Sequence, residues 1–252
     1  MKIRYLSDLH LEFEKAPAFM PAGDEDLVVL AGDIHIGLEG IRWASQAFDD
    51  CPVVYVMGNH EYYRRDYEET LGEARVLAKE LGNVHLLEQN YVDVHGVRIA
   101  GCTLWTDFDC FGSEQQSSAM WVAWNSLSDY SVIRYRRGML TPSITRELCL
   151  KSRAWLDDAV SSSPLPLVVV THHAPTMHTF NPRIEPDALT ACFHNDWPEL
   201  VRDPVRAWIH GHNHWCQSKL VNDIPIISNQ RGYPREDVGE FDWYRTIDIQ
   251  LD

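Results

Sequence analysis

Short apolar, β-branched runs recur along this sequence, and each stops at a cluster of polar residues. Ile3 to Leu6 leads into Ser7-Asp8-Leu9-His10, Leu27 to Leu30 into Ala31-Gly32-Asp33, and Val53 to Met57 into Gly58-Asn59-His60-Glu61. Further on, Leu167 to Val170 leads into Thr171-His172-His173, and Ala207 to Ile209 into His210-Gly211-His212-Asn213-His214. Runs this short, with so little alternation, predict strands covered on both faces. Between them the apolar spacing becomes helical. Tyr67, Leu71, Ala74, Ala78 and Leu81 share a face, Asp66 is placed to cap the start and Gly82 to stop the end. Thr141 followed by Pro142 predicts an N-cap and first helical position for a helix running through Leu148, Trp155 and Ala159. Strands alternating with helices predict an α/β fold. After His214 the pattern becomes a meander of Gln217 to Val221, Ile224 to Ser228 and Tyr244 to Leu251.

Two stretches break the rhythm. Residues 105–140 are rich in Trp, Tyr, Ser and Arg, and the proline-bearing stretch 174–198 reads as a loop over a site. Without repeats or a linker, the division expected is one domain, 1–252, with a cap inserted at about 105–140.

Composition narrows the classes. The 252 residues are 45% hydrophobic, enough for a substantial core. The net charge of −15 argues against gripping extended nucleic acid, which needs clustered Lys and Arg to displace counterions. Six scattered cysteines form no Cys-x-x-Cys pair, which speaks against a disulfide framework or a thiolate zinc site. The opening residues do not form a secretory leader, and no apolar run is long enough to span a bilayer, so a cytoplasmic location is expected.

Ligands of open α/β sheets bind beyond the carboxyl ends of strands, where all five polar clusters lie. Aspartate, asparagine and histidine without thiolate form a donor set for Mn²⁺, Fe or Zn²⁺. Asp8 and His10 can turn to one metal together, His212 and His214 repeat that spacing, and Asp33 could bridge a metal pair. Two ions roughly 3.5–4 Å apart clamp the attacking and leaving oxygens of an in-line displacement.

Taken jointly, Asp8-x-His10, Gly32-Asp33, Gly58-Asn59-His60-Glu61, His172 and Gly211-His212-x-His214 resemble the calcineurin-like metallophosphoesterase superfamily. The resemblance implies two facing β-sheets flanked by helices, the metallophosphoesterase four-layer sandwich. It also implies two divalent ions, with Mn the first choice and Fe or Zn the alternatives. Asp8, His10, Asp33 and His214 would hold the first, and Asp33, Asn59, His172 and His212 the second. A hydroxide between them would attack phosphorus, and His60 would stabilise and protonate the departing oxygen. The superfamily's Ser/Thr protein phosphatases carry Gly-Asp-x-x-Asp-Arg-Gly. Here residues 32–38 read Gly-Asp-Ile-His-Ile-Gly-Leu, so the Asp-Arg pair is missing and that reading loses ground. The opening Met1 to Phe13, the Gly-Asn-His-Glu-Tyr-Tyr stretch and Asn229 to Tyr233 resemble compact bacterial phosphoesterases.

Several side chains are candidates for the substrate. Arg231 and Arg183 could replace the missing phosphate-binding arginine, against a surface or salt-bridge role. His173 neighbours a ligand and is either an orienting group or substrate-facing. Tyr62 follows the catalytic motif and is expected in the cleft, whereas Trp121 and Trp124 are expected in the core. His35 and His210 read as satisfied loop and buried histidines. The expected reaction is hydrolysis of a phosphodiester in a small or nucleotide-derived substrate. Its alternatives are a phosphomonoesterase, a nuclease, and a non-catalytic interaction module on the same fold.

Overall fold

The structure is a computed structural model that describes residues 1–14, 17, 20, 23–236 and 238–250. In chain order its first half runs β1 (Lys2–Leu6), β2 (Leu27–Ala31), α1 (Glu39–Ala47), β3 (Val53–Val56), α2 (Tyr67–Leu81), β4 (Val84–Leu87), β5 (Asn90–Val94) and β6 (Val97–Cys102). Residues 105–140 then hold α3 (Ser113–Ser126), α4 (Asp129–Val132) and the two-residue strands β7 (Arg134–Tyr135) and β8 (Gly138–Met139). The second half is α5 (Pro142–Ser162), β9 (Leu167–Thr171), β10 (Val205–Ile209), β11 (Gln217–Val221), β12 (Ile224–Ser228) and β13 (Thr246–Asp248).

Two sheets face each other. One has the order β13-β1-β2-β3-β4, the other β11-β12-β10-β9-β6-β5. Within each sheet the central strands are parallel and the antiparallel pairings fall at edges: β13 on β1, β5 on β6 and β11 on β12. Strand residues alternate between two cores. Val29, Val54, Val56, Val168 and Val170 pack between the sheets, whereas Val28, Leu30, Tyr55, Leu167 and Val169 face the outer helices. Both faces of each central strand are therefore apolar, which is why the sequence showed runs rather than alternation.

The local signals have direct counterparts. Asp66 accepts from the backbone N–H of Glu68 and Glu69, and Gly82 ends α2 at φ 81°. Thr141 accepts from Ile144 N–H, and Pro142 fills the first position of α5. The stretch 174–198 contains 3-10 turns at Met177–Thr179 and Thr190–Cys192 and a bridge between Ala174 and His194, and it ends on a third such turn, Pro198–Leu200. The last expected strand is shorter than its apolar pattern, and its end at Leu251 lies outside the described residues. Strands β4 to β6 are an addition, since residues 84–102 had not been singled out.

Trp121 and Trp124 correct an expectation. They are 68% and 48% exposed on α3, which turns Ala119 and Ala123 inward instead. The two alanines let α3 lie close to its neighbours, and the indoles are left on the outer face.

Candidate metal centre

The loops after β1, β2 and β3 of one sheet and after β9 and β10 of the other meet at one edge of the sandwich. Asp8 N–H donates to Gly32 O (2.9 Å), His10 N–H to Asp33 O (3.1 Å), and Gly211 N–H to His172 O (2.9 Å). The two sheets are joined where His212 N–H donates to the Asp8 carboxylate at 3.0 Å. Glu61, fully buried, is the strut beneath. It accepts from Asp33 N–H (3.1 Å), Ile34 N–H (2.9 Å), Gly58 N–H (2.8 Å) and the Tyr55 hydroxyl (2.7 Å). Burial, then the Asp33 charge, pushes its carboxyl up to about 7 against those donors.

Within this frame the donors gather around Asp33. Ligand atoms of Asp8, His10 and His214 lie within 4.8 Å of one another, as do those of Asp33, His172 and His212. Asp33 stands between the groups, with Oδ2 3.9 Å from His10 Nε2 and Oδ1 3.4 Å from His172 Nε2. Asn59 Oδ1 lies 3.1 Å from His172 Nε2. The imidazoles are held from behind. His172 Nδ1 donates to Ala31 O (2.9 Å), His10 Nδ1 to Glu12 (3.2 Å) and His214 Nδ1 to Glu236 (2.6 Å). Each Nε2 is thereby turned inward, as metal-ligating histidines require.

Three observations test whether the set fits divalent ions, and each favours the fit. His10 Nε2 and His214 Nε2 face each other at 3.1 Å, two donor atoms aimed at one point. His212 Nε2 is buried with no hydrogen-bond partner among the described residues, a cost that a cation would remove. Five of the seven expected ligands adopt left-handed backbone: Asp8 (φ 53°), His10 (46°), Asp33 (54°), His212 (72°) and His214 (46°). Non-glycine residues adopt this region at a cost, and its concentration here marks a site over-determined by its surroundings.

The protonation balance has the same sense. Burial alone would raise the Asp8 and Asp33 carboxyls, yet the surrounding imidazoles hold both below the usual range. Burial would depress His214 and His172. Asp8 and Glu236 nevertheless raise His214 to about 10, and Asp33 raises His172 to about 9. These two protons occupy places where a cation would compensate the same carboxylates.

His60 stands at the wall of a cleft of about 360 Å³ that includes Asp33, Asn59, His212 and His214. Its Nδ1 donates to Glu12 (2.9 Å), and the Tyr233 hydroxyl meets its Nε2 at 2.9 Å. Burial opposes protonation, but the Asp33 charge and the Glu12 hydrogen bond raise it above its ordinary value. Tyr63 stacks on the ring at 4.1 Å and 23°. The 3-10 turn at His60–Tyr62 explains that stacking, because three residues per turn eclipse positions three apart.

The same turn sends Tyr62 away. It is fully buried against Tyr67 (4.4 Å), so the cleft tyrosine is Tyr63 and not Tyr62. His173 is also buried. It donates from Nδ1 to Thr103 O (3.2 Å), and its ring backs His212 at 4.0 Å without lining the cleft. Burial and then the His172 charge push it down to about 3. Arg231 pairs with Glu14 and donates to Leu9 O, and Arg183 lies over the Trp215 ring at 4.8 Å. Neither arginine lines the cleft. His35 Nδ1 donates to Ile36 O, and buried His210 donates to Gly211 O and accepts from Gln217. Glu12, Tyr63, Asp129, Tyr233 and Glu236 complete the site. Glu12, Tyr63 and Tyr233 lie in the three stretches already marked by resemblance, whereas Asp129 and Glu236 carried no signal.

Comparison with known proteins gives the following. A family model for calcineurin-like phosphoesterases matches residues 1–216. The uncharacterized protein L509 of Acanthamoeba polyphaga mimivirus is 27% identical over 284 residues, covering 98% of this chain and 96% of that protein. The crystal structure of phosphopantetheinyl hydrolase from Mycobacterium tuberculosis superposes with a TM-score of 0.76 at 18% identity, covering 98% of this chain and 95% of that one. TT1561 of Thermus thermophilus superposes with a TM-score of 0.52 at 15% identity, covering 91% of this chain and 88% of that one.

Proposed function

The chain belongs to the calcineurin-like phosphoesterase family, and from that premise we propose that it hydrolyses phosphodiesters using two divalent metal ions. The observation that carries the reading is the pair of donor groups meeting at Asp33. Asp8, His10, Asp33 and His214 would hold one ion, and Asp33, Asn59, His172 and His212 the other. Bound there, two such ions would polarise the phosphoryl group and acidify water. Mn²⁺ is the first choice for an oxygen and imidazole set, with Fe or Zn²⁺ as alternatives.

His60 supplies the proton. The charges of Asp33 and Glu12 favour its imidazolium, Glu12 holds the Nδ1 proton, and Tyr63 fixes the ring plane. Its Nε2 is the atom placed to protonate a departing oxygen once the Tyr233 hydroxyl turns aside. The preference for a diester rests on charge. Among the described residues no lysine or arginine lines the cleft, whereas Asp129 and Glu236 do. A dianionic terminal phosphate would meet only the metals and the His60 imidazolium there, while a monoanionic diester needs less compensation. The partner is accordingly a small phosphorylated molecule.

Protein stripped with chelator and reloaded with Mn²⁺ should regain hydrolysis of bis(p-nitrophenyl) phosphate and exceed its rate on p-nitrophenyl phosphate. Full turnover after verified metal removal would overturn the metal reading, and a monoester preference would overturn the diester reading. Cyclic nucleotides, dinucleotides, nucleotide-sugar diphosphates and a phosphopantetheinylated peptide form the panel for the natural substrate. Asp33→Asn should lower bound metal together with rate. His60→Ala should lower the rate by roughly 10²–10⁴ while sparing metal content, the range for a general acid.

A further inference from the structure

The loop between β9 and β10 builds a second cavity that the phosphoryl chemistry does not use. It has a volume of about 300 Å³, at the lower end for ligand pockets. Phe180, Ile184, Leu189 and Phe193 supply apolar walls, and Glu185 and Asp187 supply its charged groups. Asp187 is engaged as a cap, accepting from the backbone of Leu189 and Thr190. Among the described residues no lysine or arginine lines this cavity. Arg183, beside it in sequence, lies over Trp215 instead.

The cavity adjoins the metal cleft, because Phe193 and Asn213 line both. Phe193 stacks on the His212 ring at 4.8 Å. Asn213 is locked in place: it donates to Thr179 O (3.2 Å) and His194 Nε2 (3.1 Å), and accepts from Gln230 at 2.7 Å. His194 accepts that bond as a neutral imidazole, since burial pushes it down to about 4. By contrast His60, Tyr63 and Tyr233 line the cleft alone. A phosphate centred at Asp33 would therefore have two distinct sides, one facing His60 and one toward Phe193, Asn213 and the adjoining apolar cavity.

We propose that this second cavity binds the retained esterifying group of the phosphodiester, an alkyl-rich alcohol residue without negative charge. The inference rests on the phosphoesterase reading and adds the class of group on one side of phosphorus. Apolar walls reward methylenes, and Glu185 with Asp187 repels an anion that has no counter-charge there. Because a group departing past His60 lies on the other side, the cavity selects what stays on the phosphate.

Binding tests this without turnover. Dimethyl, dibutyl and bis(3-carboxypropyl) phosphate, slow to hydrolyse, would be titrated calorimetrically into Mn²⁺-loaded protein. Dibutyl phosphate should bind at least about ten-fold tighter than the dimethyl ester, as expected for several methylenes entering an apolar pocket. The carboxylated ester should bind no tighter than dimethyl phosphate. Ile184 is 56% exposed, so Ile184→Lys should fold normally and should shrink the preference for dibutyl over carboxypropyl ester at least ten-fold. Equal binding of the dimethyl and dibutyl esters, or an unchanged preference in Ile184→Lys, would overturn the proposal. If the selectivity holds but bis(p-nitrophenyl) phosphate is not hydrolysed, the catalytic reading fails and the binding pocket stands.

Discussion

Glu12 lies 3.2 Å from His10 Nδ1 and 2.9 Å from His60 Nδ1 through one carboxylate oxygen, so it orients a proposed ligand and the proposed acid together. Burial would raise its carboxyl, yet the two imidazole hydrogen bonds hold it down to about 2, and it stays ionised across the working range. Glu12→Gln keeps the shape and removes the charge. The expected outcome is a 10–100-fold loss of kcat, the usual range for such supporting partners. The alkaline limb of the pH–rate profile should move to lower pH, because His60 loses a charge that favours its protonated form. Metal content by elemental analysis should fall less than in Asp33→Asn. Sequence placed Glu12 only within the opening stretch of the resemblance, and its role was not legible there because it depends on His60, 48 positions away. Tyr62 and Tyr63 make the same point at the scale of one bond. Both follow His60, and only the 3-10 geometry decides which one meets the cleft.

At the scale of elements, the ends of β3 and β10 come so close to their neighbours that only glycine fits. A Cβ on Gly58 would lie 2.1 Å from Asp33 Oδ1 and 2.6 Å from Asp33 N, and one on Gly211 would lie 2.5 Å from Asp8 Oδ2. Gly58→Ala should therefore displace Asp33. We expect bound metal and activity to be lost while the far-UV circular dichroism of the sandwich persists, because the strands behind the loop are untouched. The strand and helix pattern itself was largely readable: β1, β2, β3, β9, β10, β11 and β12 all coincide with apolar runs or the meander. Strand β5 was less visible because it is an edge with exposed and half-buried residues, Asn90 to Val94, that carry no apolar run. In α3, bulk misled the reading. Trp121 and Trp124 have core-like character, but the two alanines make the contact, and exposure follows the helix face rather than residue type.

Across the whole molecule, a buried imidazole links stability to pH and the gathered donors link it to metal. His194 has its pKa lowered from 6.5 to about 4 by burial. The unfolded chain binds this proton more readily than the folded one, so the residue's contribution is complete above pH 6.5 and is lost as pH falls toward 4. The loss should be on the order of 3 kcal/mol. In chelator-containing buffer, denaturant unfolding of His194→Asn should therefore fall less steeply over that window than the wild type. Metal acts in the opposite sense at neutral pH. Each ion that binds only the folded chain at about a hundred times its Kd should raise Tm by roughly 5–10 °C for a chain of this size. An unchanged Tm on adding Mn²⁺ to stripped protein would contradict a site built from both sheets. Among the described residues no helix is long and apolar enough to cross a membrane.

By itself the sequence determined the strands buried on both faces, the caps of α2 and α5, and the chemical identity of the donors at five strand ends. Each of these is written in neighbouring residues: apolar runs, capping side chains and motif spacing act over a few positions. Only the tertiary structure decided which sides of those loops meet at Asp33, that Glu12 and Glu236 hold the imidazoles from behind, and that Arg183 and Arg231 are engaged elsewhere. It also decided that an apolar cavity adjoins the metal cleft across Phe193 and Asn213. Those outcomes depend on contacts between residues up to about two hundred positions apart, such as His214 with Asp8 at 3.5 Å, whose geometry exists only once both sheets have packed.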